Sequence, residues 1–91
     1  MDGLLDPRRR MPRVMILDLS QLLNMDTTGL ETLETLQGML EKRGGTLILA
    51  GVQDQPRGLL ARSGLFGRLG AGNIAPTFAD ALRRAKQLAV S

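Results

Sequence analysis

The sequence contains no cysteine and no histidine. These two absences remove disulfides, thiolate nucleophiles, Cys/His zinc sites and every imidazole-based catalytic arrangement. Tryptophan and tyrosine are missing as well, and phenylalanine occurs only twice. Aromatic platforms for stacking single-stranded bases are therefore not available. No apolar run approaches the roughly 20 residues needed to span a bilayer, and no signal-peptide pattern opens the chain. No Asp/Glu cluster has the spacing of a Mg²⁺ or Ca²⁺ loop. The expectation is a cytoplasmic chain without catalysis, metal or cofactor.

What is present is ordinary for one small domain. The 91 residues are 43% hydrophobic and 23% charged. Leu, Ile, Val, Ala and Met supply nearly all of the apolar bulk, so the core should be aliphatic, with Met11, Met15, Met25 and Met39 filling core or edge volume. The net charge of +3 comes from Arg8-Arg9-Arg10, beyond which the signs balance. That run reads either as a solvated segment or as a contact for acidic lipid headgroups or an acidic partner. No helix carries a basic stripe, so nucleic acid is not an expected partner.

Residues 1–12 form a basic, Pro-punctuated N-terminal segment whose apolar pair is Leu4-Leu5, and residues 13–91 form the domain. Residues 14–19 are a nearly continuous apolar run, the pattern of a strand covered on both faces. A helix over 28–43 follows, with Leu30, Leu33, Leu36 or Gln37, and Leu40 on one face. Gly44-Gly45 should end it in a left-handed turn. Residues 46–51 read as a second buried strand and 53–55 as a loop. Pro56 opens a helix through Ser63 that Gly64 stops. Residues 65–70 are a short helical turn or an apolar loop, with Leu65 and Phe66 as core or a partner contact. Residues 73–75 form a brief strand, and Thr77-x-x-Asp80 caps a last helix to about Val90. This alternation predicts an α/β fold, a small mainly parallel sheet with helices between the strands.

Asp26-Thr27-Thr28-Gly29 lies between the first strand and the first helix. Thr28-x-x-Glu31 fits a capping box. A hydroxyl at a helix N-terminus can cap free N–H groups, or carry a phosphate where the dipole favours negative charge. Thr28 is thus read as the N-cap or as a phosphoacceptor. Asp26 either bonds the turn or shapes a docking surface. Gly29 either permits a close approach at the helix start or is simply small. Asp18 either satisfies loop N–H groups or adds acidity near the motif. Residues 51–58 contain glycines but lack the spacing of a nucleotide-binding loop, which leaves a small phosphate- or nucleotide-binding protein as a weaker reading.

The blocks Val14-Met15-Ile16-Leu17-Asp18-Leu19-Ser20, Met25-Asp26-Thr27-Thr28-Gly29-Leu30, Gly44-Gly45-Thr46-Leu47-Ile48-Leu49-Ala50-Gly51-Val52 and Leu60-Ala61-Arg62-Ser63-Gly64-Leu65 resemble, in order and spacing, the STAS domain shared by sulfate transporters and anti-sigma-factor antagonists. The resemblance covers about residues 13–90. Val52-Gln53-Asp54-Gln55-Pro56-Arg57 and Ala71-Gly72-Asn73-Ile74-Ala75-Pro76 are closer to the transporter (SulP-type) branch. It implies a non-catalytic regulatory domain that contacts a protein partner: the membrane domain of its own anion transporter at the cytosolic face of the inner membrane or, in a stand-alone antagonist, an anti-sigma factor kinase. In such antagonists the position of Thr28 is phosphorylated, and Asp18, Asp26, Thr27 and Gly29 would form the switch surface. Members of the family normally begin with further strands and a helix ahead of Val14, so an N-terminally truncated domain is expected. An uncovered edge at residues 14–19 would then favour a homodimer.

Overall fold

The computed structural model describes residues 13–89. The expectations for residues 1–12, including Arg8-Arg9-Arg10, Leu4-Leu5 and Met11, and for Val90 lie outside the described residues. Elements follow in the order β1 (Val14–Asp18), α1 (Thr27–Lys42), β2 (Thr46–Ala50), α2 (Asp54–Ser63), α3 (Leu65–Leu69), a 3₁₀ turn (Ala71–Asn73), β3 (Ile74–Ala75) and α4 (Phe78–Ala89). The strands form one parallel sheet in the order β1-β2-β3. Val14 pairs with Thr46 and Asp18 with Ala50 on one side of β2, and Leu49 pairs with Ile74 on the other.

Strand β2 is covered on both faces because its side chains alternate between two helical layers. Leu47 and Leu49 join Met25, Leu33, Leu40, Leu60, Leu65 and Leu69 in a core beneath α1, α2 and α3. Ile48 and Ala50 point the other way, where Ala75 and Ala81 meet them. Small residues on that side let α4 lie close to the sheet, with Val14, Ile16, Ala85 and Leu88 around the contact. The helix periodicity of α1 is as expected, but Gln37 rather than Leu36 takes the buried position.

Helix ends follow from local chemistry. Gly44, at φ +72°, lets the chain leave α1, and the Gly44 and Gly45 N–H groups donate to the Glu41 and Leu40 carbonyls at 3.0 and 2.8 Å. That pair of bonds is the Schellman closure. Thr77 caps α4: its hydroxyl accepts from the Asp80 N–H at 3.1 Å and donates to the Asp80 carboxylate at 3.0 Å. Of the two readings of residues 65–70, the helical one is found, over Leu65–Leu69. Two local expectations need correction. Helix α2 begins at Asp54, so Pro56 is its third residue, where a missing N–H still costs no helical bond. Met39 is exposed on the outer face of α1 and fills no core volume.

Leu60 is fully buried between α2 and the sheet. Leu60→Ala should cost about 2–5 kcal/mol through lost transfer energy and a residual cavity. Leu23→Ala, at a position 68% exposed, should stay within about 0.5 kcal/mol. Urea denaturation of the two variants checks the ranking.

Candidate functional site

The C-terminal ends of β1 and β2 lead into loops that meet at one corner of the sheet, the rim where open α/β sheets present functional groups. The Leu19 N–H donates to the Ala50 carbonyl at 2.8 Å, carrying the pairing of β1 and β2 one residue further. Gly51 then turns at φ +66°, and a Cβ there would lie 2.9 Å from the Ser20 Cβ. A side chain at 51 would thus be both strained and obstructed.

Asp18 ends β1 with its side chain in solvent, and its carboxylate accepts the Ser20 N–H at 2.9 Å. This bond, followed by one from the Ser20 hydroxyl, holds the Asp18 carboxyl below the ordinary aspartate range. It does satisfy a loop N–H, one of its two expected roles. No hydrogen bond ties it to residues 26–29 among the described residues.

The expected N-cap is not Thr28. Asp26 is extended (φ −103°, ψ −178°), and its carboxylate accepts the Gly29 N–H at 2.9 Å. The Leu30 N–H donates to the Asp26 carbonyl at 3.0 Å, so Thr27 and Thr28 already lie inside the first turn of α1. Asp is among the best capping residues, and here it pre-empts the threonines that follow it. The Thr28–Glu31 capping box therefore does not form. Gly29 does permit a close approach, but by the chain itself: a Cβ at 29 would sit 3.1 Å from the Met25 Cγ and 3.5 Å from the capping Asp26 Oδ1.

With the cap supplied by Asp26, both threonines are exposed. The Thr28 carbonyl accepts from the Thr32 hydroxyl at 3.0 Å, while its own hydroxyl makes no hydrogen bond among the described residues. Two shallow depressions flank the motif. One, of about 540 Å³, is lined by Leu19, Leu22, Met25, Asp26, Gly29 and Leu33. The other, of about 440 Å³, runs along α1 past Thr28, Glu31, Thr32, Leu36 and Met39. Leu22 and Leu23 add exposed apolar surface at the loop tip. Such surface suits contact with a macromolecule better than enclosure of a small molecule.

Sequence reasoning missed Gln53 and Gln55. The Gln55 amide accepts the Met25 N–H at 2.7 Å and donates to the Met25 carbonyl at 3.1 Å. The Gln53 amide donates to the Ser20 carbonyl at 3.0 Å. The signal available was two glutamines just past a buried strand, at positions with no apolar role. Among the described residues no group of three or more acidic side chains could hold a metal ion, and no helix is long and apolar enough to cross a membrane.

The chain as a whole is similar to known proteins. The STAS domain family model matches residues 3–81. The candidate sulfate transporter YvdB of Bacillus subtilis (strain 168) is 31% identical over 68 residues, which are 75% of this chain and 13% of that protein. The chain thus spans only 13% of the length of this curated relative. A sulfate transporter family protein from Wolinella succinogenes superposes with a TM-score of 0.86 at 36% identity, covering 98% of this chain and 73% of its own. The STAS domain of a SulP transporter from Vibrio cholerae gives 0.83 at 27% identity, covering 97% and 70% respectively.

Asp26→Ala should lower stability by about 1 kcal/mol, the usual worth of a cap. Thr28→Ala should change it by no more than about 0.5 kcal/mol, because its hydroxyl bonds none of the described residues. Chemical denaturation gives both values, and the opposite ranking would return the cap to Thr28.

Proposed function

Since the chain belongs to the STAS domain family, we propose that it is a non-catalytic regulatory domain acting through protein contact, as the cytosolic part of a sulfate-permease-like anion transporter. The observation that carries this reading is the likeness, across 98% of the chain, to a sulfate transporter family protein at 36% identity. The geometry of the corner agrees with it. A buried core fixes the start of α1, while the side chains displayed there are exposed hydroxyls, a capping carboxylate and an apolar loop tip. The contact surface is Asp26, Thr27, Thr28 and Gly29 with Leu22 and Leu23, and Asp18 contributes a fixed negative charge at the end of β1. The partner is the membrane domain of the same transporter.

A second reading, a stand-alone anti-sigma-factor antagonist switched by phosphorylation of Thr28, draws support from the exposed, unbonded Thr28 hydroxyl. At the second position of α1 a phosphate would lie near N–H groups that have no intrahelical acceptor. It would bring roughly −1.5 to −2 charges at neutral pH. The helix dipole favours that charge, and Glu31 one turn later opposes it. The fold should survive while the surface a partner meets changes sign and shape.

Thr28→Asp should therefore leave the circular dichroism spectrum and melting behaviour intact and weaken binding to the partner. Thr28→Ala should bind as the parent does. If Thr27→Asp abolished binding while Thr28→Asp bound normally, Thr28 would not be the switch position.

A further inference from the structure

We infer that Gln55 is a positioning residue for Asp26-Thr27-Thr28-Gly29, fixing the start of α1 against the turn between β2 and α2. The inference rests on reading this corner as the contact surface. The connection from β1 to α1 runs over residues 19–26 without regular structure. Its first half extends the pairing with β2 by one bond, from the Leu19 N–H to the Ala50 carbonyl at 2.8 Å, and then turns, the Leu22 N–H donating to the Leu19 carbonyl at 3.0 Å. Its last residue before the motif, Met25, sends its side chain into the core, and both of its backbone polar groups bond the Gln55 amide, at 2.7 and 3.1 Å.

A primary amide both donates and accepts from one rigid plane, so it can occupy the two backbone groups of a residue as a neighbouring strand would. Asp26 comes next in the chain and carries the cap bond to Gly29. Where Met25 is placed thus decides where the capping carboxylate lies, and hence which way Thr27 and Thr28 face. Gln53 performs the matching task at the other end of the loop, donating to the Ser20 carbonyl at 3.0 Å. Residues 21–24, with exposed Leu22 and Leu23, are left as a span pinned at both ends from the β2–α2 turn. Gln55 itself is exposed at the second position of α2 and contributes nothing to either apolar core. Its substitution therefore separates positioning from packing.

Amide hydrogen exchange of the purified domain at neutral pH tests this. Gln55→Leu keeps the bulk and removes both bonds. Exchange at the Met25 and Gly29 amides should then rise about ten-fold or more, as loss of one or two net hydrogen bonds allows. The Leu33 and Leu49 amides should keep their parental rates. Gln55→Glu retains an acceptor for the Met25 N–H and should hold Met25 within about three-fold of the parent. Unchanged exchange at Met25 in Gln55→Leu would overturn the inference. So would an equal rise at Leu33 and Leu49, or Gln55→Glu exchanging as fast as Gln55→Leu. In a parallel arm, Gln55→Leu should weaken binding to the transporter's detergent-solubilised membrane domain at least as much as Thr28→Asp. Local loosening with unchanged binding would leave Gln55 as the anchor and sink the assignment of this corner as the contact surface.

Discussion

Strand β2 is the constraint on which the rest depends. Leu47, Ile48, Leu49 and Ala50 are each no more than 1% exposed, paired by β1 and β3 along both edges and covered by helices on both faces. A short strand enclosed in this way cannot shift register without moving a set of apolar side chains to the wrong layer. The ends of β2 are thereby fixed in space, and so are the loops that leave them. For a domain with so little core, this is the economical way to hold a surface loop rigid.

The proposed contact surface depends on what happens one residue beyond that strand. Gly51 turns tightly against Ser20, and the two glutamines that follow reach across to the loop carrying the motif. The order of causes runs from the central strand to the turn after it, then to Met25, then to the cap at Asp26. None of these steps uses an acid–base pair or a metal. They yield a helix start whose hydroxyls are displayed and whose backbone is already organised. Little ordering cost would then remain for the docking proposed above.

Much of this was legible in the sequence for identifiable reasons. Continuous apolar runs marked two strands, of which β2 is covered on both faces while β1 is a half-buried edge strand; Gly44 and Gly64 marked helix ends, and Thr77 with Asp80 read as a cap. The STAS resemblance, carried by the order of four blocks, and its transporter branch, carried by residues 52–57 and 71–76, agree with the family match and with the solved structures. The cap at α1 was misread because Asp26 and Thr28 are both good capping residues, and a glutamate three residues after Thr28 mimics a capping box. The backbone angles at Asp26 and its bonds to the Gly29 and Leu30 N–H groups decide between them. The role of Gln55 was invisible for a different reason. Its partner is 30 residues away, and no local pattern encodes a bond between a side chain and a distant backbone.

The central claim is that the corner carrying residues 22–29 meets the membrane part of an anion transporter. The direct measurement is site-specific photocrosslinking in cells. A photoreactive amino acid is placed at Leu23, beside the motif, or at Arg83 on the exposed side of α4. The account predicts adducts from position 23 with the membrane domain of a sulfate-permease-type transporter, and none from position 83. Adducts with that domain from position 83 and none from position 23 would contradict it.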